Sequence, residues 1–244
     1  MIVVAVVSMR GGTGKTTLCL NVGAQLAERG QKVAIVDLDF QGSWLYELID
    51  RSTREIQTSD EFIEFQLNDD LPEIHAEKIL QHRGIDLFPV TRDEDTRLGR
   101  YRMEKVAQPR DFVRLIYRPL SALQREGYDI VLLDCPPGLK WFADSAMRVV
   151  HEKQWKGKII LCDRGDRIHE IEYLGFEPEN GPFKNNPTVP YAVVHLKAPE
   201  YDEEQKLTQI RKTLDVTTFI ASNPDLTAQE DESRMRLIVN WVRK

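Results

Sequence analysis

One short segment near the start of the chain combines the residue types that bind phosphate. Its members are glycines and threonines around one lysine: Gly11, Gly12, Thr13, Gly14, Lys15, Thr16 and Thr17. Glycines let backbone N–H groups close around an anion without clashes from a Cβ atom. In such a P-loop Lys15 reaches the β- and γ-phosphates, and the Thr16 hydroxyl ligates Mg²⁺. Thr17 would contact the α-phosphate, so the segment predicts a nucleoside-triphosphate site.

Two further apolar runs end in aspartates that could serve the same site. Val33–Val36 is followed by Asp37 and Asp39, and Ile130–Leu133 is followed by Asp134. In doubly wound folds ligands bind beyond the carboxyl ends of the strands, so these carboxylates should meet there. Asp134 stands where a Walker B aspartate holds Mg²⁺ through a water molecule. Without a phosphate site nearby, Asp37 and Asp39 would instead cap the following helix.

The elements that must position these residues alternate between buried strand and amphipathic helix. Ile2–Val7 is a buried-type strand before the P-loop, and a helix over Lys15–Arg29 ends at Gly30. Further buried strands are predicted at Ile85–Val90, Ile159–Leu161, Tyr191–Val194 and Val216–Ile220. Further helices are predicted at Asp111–Arg125, Trp141–His151, Glu203–Thr213 and Ala228–Val242. We therefore predict one α/β domain over residues 1–244: a doubly wound, mostly parallel sheet with helices on both faces.

The composition excludes several classes of protein. The 244 residues are 41% hydrophobic and 30% charged, which indicates a globular rather than a disordered chain. The net charge of −6 excludes a wholly basic nucleic-acid coat but leaves a local basic patch open. Three cysteines without a C-x-x-C pair argue against a disulfide framework and favour a cytoplasmic location. Ile2–Val7 is too short for a signal peptide or a membrane span.

The three motifs together resemble those of the ParA/MinD/Soj superfamily of deviant Walker A ATPases. The family's phosphate loop reads K-G-G-x-G-K-T; this chain has Arg10 at the signature-lysine position and Met9 where the standard loop has its first glycine. Residues 37–42 are similar to the family's switch I motif, D-x-D-P-Q-G, with Phe40 in place of proline. Residues 128–138 are close to its switch II.

The resemblance covers residues 1–50 and 125–140 and implies a P-loop fold that uses ATP and Mg²⁺. In this family ATP closes a homodimer and hydrolysis reopens it. The signature residue, here Arg10, would act across the dimer on the partner's phosphates. By the same resemblance Asp39 orients or activates the attacking water, and Asp37 supports the Mg²⁺ shell.

Two features bear on the base of the nucleotide. No K-x-D sequence occurs in the chain, so the usual guanine-reading motif is absent. Together with the resemblance, this favours ATP over GTP. Residues 220–228 resemble the loop that packs on adenine in relatives, with Asn223 as the candidate contact, although an Asn-Pro turn explains the same residues.

The role that the resemblance implies is spatial: segregation of DNA or positioning of a large cargo. Family members usually act with an adaptor protein that stimulates hydrolysis, as ParB does. Partition-type relatives also bind nonspecific DNA through basic residues, which would place this chain on the nucleoid; solvated helix faces of mixed charge are the alternative. The candidate basic residues form two sets: Arg92, Arg97, Arg100, Arg102, Lys105, Arg110, Arg114 and Arg118, and Arg211, Lys212, Arg234, Arg236, Arg243 and Lys244.

The segment over residues 234–244 has two interpretations. Its basic, amphipathic character is like the membrane-binding helix of MinD-type relatives. However, Leu237, Ile238, Trp241 and Val242 also have the spacing of an ordinary helix that packs on a core, which we favour. A membrane partner is therefore not expected.

Two other classes of function remain open. One is a metabolic ATP-dependent enzyme on the same scaffold, similar to dethiobiotin synthetase, which would need a second substrate pocket. The other is a nucleotide-binding scaffold with little turnover, which the departures at Arg10 and Phe40 allow.

Overall fold

The computed structural model describes most of the parts of the chain that carry the motifs. The described residues are 1–40, 45, 56–59, 73–90, 109–138, 142–163, 190–196, 216–221 and 234–244. The helix predicted over Glu203–Thr213 and the candidate Asn223 lie outside these residues.

The described strands form one sheet of eight in the order β3-β4-β2-β5-β1-β6-β7-β8. The strands are β1 (Ile2–Ser8), β2 (Val33–Asp37), β3 (Leu80–His82), β4 (Ile85–Phe88), β5 (Ile130–Pro137), β6 (Lys156–Asp163), β7 (Tyr191–Leu196) and β8 (Val216–Ala221). The helices in this part of the chain are α1 (Lys15–Ala27), α2 (Pro109–Arg125), α3 (Phe142–Val149) and α4 (Arg234–Arg243). Only the two edge pairs, β3 with β4 and β7 with β8, are antiparallel. The predicted doubly wound, mostly parallel α/β fold is confirmed.

Both faces of the sheet are buried, as the apolar character of its strands predicts. Val3, Ala5 and Val7 of β1 join a core beneath α2 and α3. Val4 and Val6 of the same strand join a second core beneath α1 and α4. Successive side chains of a strand point to opposite faces, so a central strand needs apolar residues at every position.

The antiparallel strand β3 was not predicted. It lies within the polar region 51–84, and its side chains are half-buried or exposed. It pairs with β4 through a two-residue turn in which Arg83 has φ 50° and Gly84 has φ 75°. Two successive positive φ values match the twist of a tight hairpin. This strand therefore forms because of the tight turn that joins it to β4, and its sequence carries no apolar pattern.

Helix α4 packs on the core, which was the favoured interpretation of the C-terminal segment. Its apolar face is buried: Met235, Ile238, Val239, Trp241 and Val242 are at most 6% exposed. The guanidinium of Arg29, two residues after the end of α1, donates a hydrogen bond to the Asn240 side chain at 2.7 Å. No helix within the described ranges has both the length and the apolar content needed to cross a membrane.

A buried lysine holds the last turn of α4. Lys158 of β6 is 5% exposed. Its amine donates a hydrogen bond to the Trp241 carbonyl and lies 4.7 Å from the centre of the Trp241 ring. Carbonyl groups in the last turn of a helix lack partners within the helix, so a donor there stabilises its end. Burial, together with the positive charges of Lys156 and Lys244, lowers the pKa of Lys158 to about 8.

This pKa predicts a pH-dependent stability. Lys158 loses its proton at a lower pH in the folded protein than in the unfolded chain. Below pH 8 the folded protein therefore bears the full free-energy cost of a buried charge. Between pH 8 and pH 10.5 the folded protein loses this charge first, and its stability rises. Between pH 8 and pH 10 the free energy of unfolding of the wild type should rise by about 1 kcal/mol relative to Lys158→Met, after allowance for solvent screening. Urea unfolding of both proteins at each pH measures the difference. An equal gap at both pH values would contradict the assignment.

Candidate functional site

Three central strands bring the motif residues to one edge of the sheet. β5 lies between β2 and β1, and its Asp134 is in register with Asp37 of β2 and Val6 of β1. The strands are parallel, so their carboxyl ends and the loops that follow them meet. The P-loop after β1, the segment after β2 and the loop after β5 are therefore neighbours.

The P-loop enters α1 without a side-chain cap at the N-cap residue. Gly12 has φ 69° and Gly14 has φ 92°, a left-handed conformation that disfavours any residue with a Cβ atom. Gly14 is the N-cap of α1; it makes no side-chain cap hydrogen bond, and the first turn holds no acidic residue. The amides at a helix N-terminus and its partial positive charge suit a phosphate.

Lys15 is held in place from beneath the loop. It is 7% exposed, and its amine donates a hydrogen bond to Ser8 Oγ at 3.0 Å. The Ser8 hydroxyl in turn donates to the Arg10 carbonyl at 2.7 Å. Ser8 thus links the lysine to the loop backbone, a contact that sequence reasoning missed because a serine at a strand end carries no specific signal.

Asp134 is a buried carboxylate with one oxygen satisfied. It is 2% exposed, and Asp134 Oδ2 accepts a hydrogen bond from the Thr16 hydroxyl at 2.5 Å. Burial raises the pKa of Asp134 to about 6, although the Thr16 hydrogen bond and the Lys15 charge lower it and Asp39 raises it. Within the described ranges, Asp134 Oδ1 and Thr13 Oγ1 are buried without a hydrogen-bond partner. Buried oxygens are rarely left unpaired, and the Asp134 oxygen beside the P-loop is therefore available to a ligand bound there.

These residues fit a magnesium ion held partly by a substrate. The described residues contain no group of three or more His, Cys, Asp or Glu that could hold a metal ion alone. Mg²⁺ is commonly bound by one or two carboxylates together with water and substrate phosphates. The unpaired oxygen of Asp134 beside the Thr16 hydroxyl suits that mode of binding.

Backbone hydrogen bonds fix the two acidic segments against each other. Asp37 is 1% exposed, and its Oδ1 accepts a hydrogen bond from the Asp39 amide at 2.9 Å. The Leu38 amide donates to the Asp134 carbonyl at 2.8 Å. After β5, the Gly138 amide donates to the Ser8 carbonyl at 2.8 Å, and Gly138 has φ 83°. Both segments are therefore tied to the strands that carry the site.

The remaining candidates divide between the site and the surface. Arg10, Gly11 and Gly12 are exposed at the loop. The Thr17 carbonyl accepts a hydrogen bond from the Asn21 side chain at 2.8 Å, in the first turns of α1. Cys135 is fully buried, and burial raises the pKa of its thiol, so it is a core residue rather than a nucleophile.

The described members of the two basic sets lie on opposite faces of the sheet. Arg114 is exposed and Arg118 half-buried on α2, whereas four cations are exposed on or next to α4. α2 and α4 cover different cores, so these residues do not form one patch. The α4 cations are Arg234, Arg236, Arg243 and Lys244. Outside the described part of the chain, or with side chains that it does not describe, lie Arg92, Arg97, Arg100, Arg102, Lys105, Arg110, Arg211 and Lys212.

Comparison with known families agrees with this geometry. A family model described as AAA domain (AAA_31) matches residues 1–152, which is more than half of the chain. The chain belongs to this AAA-domain family. Within it, the resemblance to the ParA/MinD/Soj superfamily is confirmed by the relatives that match.

Two curated relatives of this AAA-domain protein illustrate the match. The sporulation initiation inhibitor protein Soj of Bacillus subtilis is 33% identical over 138 residues, 56% of this chain and 50% of Soj. The chromosome partitioning protein ParA of Caulobacter vibrioides is 33% identical over 147 residues, 59% of this chain and 51% of ParA. The chain spans about half the length of the curated relatives it matches.

Solved structures show the same fold at lower identity. Cobyrinic acid a,c-diamide synthase from Mycobacterium smegmatis, with bound ADP and magnesium, has a TM-score of 0.53 and 24% identity over 75% of this chain and 71% of that chain. Apo McdA from Cyanothece has a TM-score of 0.51 and 18% identity over 80% of this chain and 72% of that chain. Both likenesses concern the AAA-domain fold.

Proposed function

We propose that this chain is a Mg²⁺-dependent ATPase that works as a ParA-like dimer switch, with residues 1–244 forming one domain. The observation that carries the proposal is the buried Asp134, whose Oδ1 is unpaired beside the Thr16–Asp134 hydrogen bond. The relatives named Soj and ParA support a role in DNA partition or in the positioning of a cargo. The structure with bound ADP and magnesium shares only the fold, and it supports the choice of ligands as an analogy.

The residues of the P-loop would bind and orient the triphosphate. The amides from Gly11 to Gly14 and at the start of α1 surround the phosphates, and Thr17 contacts the α-phosphate. Lys15 moves from Ser8 Oγ to the β- and γ-phosphates, where its charge is used in the transition state. No large rearrangement is needed, since Ser8 keeps its own acceptor in the Arg10 carbonyl.

The acidic residues would hold the metal and the attacking water. Thr16 and Asp134 hold Mg²⁺, and Asp37 supports its water shell. The ion supplies positive charge that offsets the charge developing on the phosphate oxygens. Asp39 accepts a hydrogen bond from the attacking water and orients it in line with the γ-phosphate. Asn223 remains the proposed contact for adenine.

Arg10 is proposed to act across a homodimer. It is exposed at the rim of the P-loop, where a second copy of the chain could bring its own phosphates. A guanidinium presents a planar fork of donors that fits phosphate oxygens, and such arginines raise hydrolysis rates strongly.

Replacement of Arg10 tests this role. Arg10→Ala should lower kcat for ATP hydrolysis by about a hundredfold, and should prevent ATP-dependent dimerisation, because the charge on the transition state loses one donor. Arg10→Lys, which restores the family residue, is the matched control and should retain most of both properties. If Arg10→Ala hydrolysed ATP and dimerised like the wild type, the proposal that Arg10 acts across the dimer would be contradicted.

Phosphate release separates the proposed function from its alternatives. The wild-type chain should release phosphate from ATP with Mg²⁺, much more slowly from GTP, and not with excess EDTA. Stimulation by DNA favours partition, whereas stimulation that requires a metabolite favours an enzyme similar to dethiobiotin synthetase. Tight ATP binding without release under any condition would favour the scaffold and would overturn the ATPase.

Binding to nonspecific DNA and to an adaptor of the ParB type remain part of this proposal, as does a location on the nucleoid. The exposed cations of α4 offer one contact and the arginines of α2 another, on opposite faces. Contact with phosphates would weaken steeply with salt. Retention of DNA by the ATP-bound protein at two salt concentrations measures this. Replacement of Arg234 and Arg236 by glutamate should weaken binding if the α4 face is used.

A further inference from the structure

Two aromatic rings join the segments that carry the acidic residues. The Phe40 and Phe142 ring centroids are 4.7 Å apart, with the planes tilted by 37°. Phe40 follows Asp39 directly, and Phe142 is the first residue of α3, after the loop that leaves β5. The rings are 5% and 8% exposed, so the contact is buried. Such aromatic pairs stabilise beyond the area they bury.

The segment before Phe40 is also held by the buried Leu38 side chain and by two hydrogen bonds that its backbone amides donate. The Leu38 amide is bound to the Asp134 carbonyl and the Asp39 amide to Asp37 Oδ1. Neither bond fixes where the chain goes after Asp39. A proline at position 40, as in the resembling switch I motif, would restrict φ by itself. Phenylalanine has no such restriction, so the direction of the chain here depends on a tertiary contact.

The other end of the contact lies in a helix that is packed on the sheet. Helix α3 is packed on the sheet through Ala143, Ala146, Met147 and Val149, each at most 3% exposed. The loop between Gly138 and Phe142 therefore starts at a residue bonded to Ser8 and ends at a packed helix. Any shift of α3 relative to β5 carries the Phe142 ring, and with it Phe40.

We propose that the Phe40–Phe142 pair positions Asp39 relative to Asp134 and couples the segment after β2 to the start of α3. This inference rests on the proposed ATPase function. Phe40 does not contact the reacting atoms; it acts through Asp39 and is a positioning residue. A displaced carboxylate slows the chemical step while the phosphate loop, which binds the nucleotide, stays intact.

The kinetic test compares Phe40→Ala and Phe142→Ala with the wild type. Each should lower kcat about tenfold or more while the Kd for ATP changes by less than about twofold. The double variant should be little slower than either single variant, because both remove the same contact. Phe40→Leu keeps an apolar side chain of similar size and should also be slower than the wild type, which covers a failure of the alanine variant to fold.

Tyr117→Leu is the matched control. The Tyr117 and Trp155 ring centroids are 5.2 Å apart and also lie on the α2 and α3 side of the sheet. Trp155 precedes β6 at its amino end, away from the site. Tyr117→Leu should lower stability to a similar extent without lowering kcat.

Hydrogen exchange of the nucleotide-free protein tests the coupling without any activity. Phe142→Ala should speed exchange at the Leu38 and Asp39 amides severalfold, although the substituted residue is far away in sequence, whereas Tyr117→Leu should leave it unchanged. If the exchange rates of these amides were the same in Phe142→Ala as in the wild type, the inference would be overturned. So would wild-type kcat in both phenylalanine variants. A wild-type chain that does not hydrolyse ATP would overturn the proposed function, and the exchange result would still decide the coupling.

Discussion

Lys15→Ala should lower ATP hydrolysis by at least about a thousandfold and weaken ATP binding. Among the residues that the structure describes, this buried amine is the cation that lies beneath the phosphate loop. The variant should fold, because Ser8 keeps the Arg10 carbonyl as its hydrogen-bond acceptor and no buried donor is left unpaired. Phosphate release at saturating ATP and calorimetric titration with ATP measure the two effects.

Lys158→Met is the matched control for the loss of a buried lysine. Lys158 is 5% exposed, as Lys15 is 7% exposed, but it contacts Trp241 of α4 rather than the phosphate loop. Its replacement should leave hydrolysis within about twofold of the wild type, since nothing in the site depends on it. If Lys15→Ala hydrolysed ATP at a rate within tenfold of the wild type, the assignment of the nucleotide site to this loop would be contradicted.

Gly157→Ala should destabilise the fold by about 4 kcal/mol or prevent folding. Gly157 lies in β6 and pairs with Val3 of β1. An added Cβ atom would overlap the Val150 carbonyl and lie 2.9 Å from Val150 Cβ. Backbone atoms cannot rotate away, so β6 would have to separate from the segment after α3. Urea unfolding, or the yield of folded protein, measures the effect.

Gly23→Ala is the control for this clash. A Cβ atom there would meet the Ile85 Cδ1 atom at 3.1 Å and Ile35 Cδ1 at 3.5 Å, both at the ends of flexible side chains. Alanine also favours the helix by about 1 kcal/mol over glycine, which offsets the contact. The free energy of unfolding should therefore stay within about 1 kcal/mol of the wild type. A Gly157→Ala protein as stable as Gly23→Ala would contradict the described packing of β6.

The central strands could be predicted because a strand that is buried on both faces is apolar at nearly every position. Val33–Val36 is apolar throughout and corresponds to β2, which ends one residue later at Asp37. Parallel strands then place their carboxyl ends together whatever the loops do, so Asp37 and Asp134 had to be neighbours. The P-loop could also be predicted, because Lys15 and its glycines stand between the first strand and the first helix.

Strand β3 and the first part of β6 could not be predicted, since their stability does not come from an apolar pattern. β3 is held by its backbone pairing with β4 and by the turn at Arg83 and Gly84. The first part of β6 carries Lys156 and Lys158 and therefore looks polar. Lys158 is nevertheless buried, because the end of α4 provides an acceptor for its amine.

Contacts between residues that are distant in the sequence could not be predicted either. Phe40 is noticeable only as a departure from a proline, and nothing in the sequence connects it with Phe142. Ser8 likewise gains its role only when Lys15 folds back over the end of β1. Such contacts depend on the packing of α3 and the P-loop against the sheet, which residue types and spacing do not determine.

The solution mass of Asp39→Ala protein tests the central claim that ATP closes a homodimer and hydrolysis reopens it. Without the carboxylate that we propose to orient the attacking water, bound ATP should persist in the presence of Mg²⁺. Sedimentation should then give twice the mass of one chain with ATP, and the mass of one chain with ADP or after the further change Lys15→Ala. A single, unchanged mass with ATP and with ADP, at full occupancy of the site, would contradict the account.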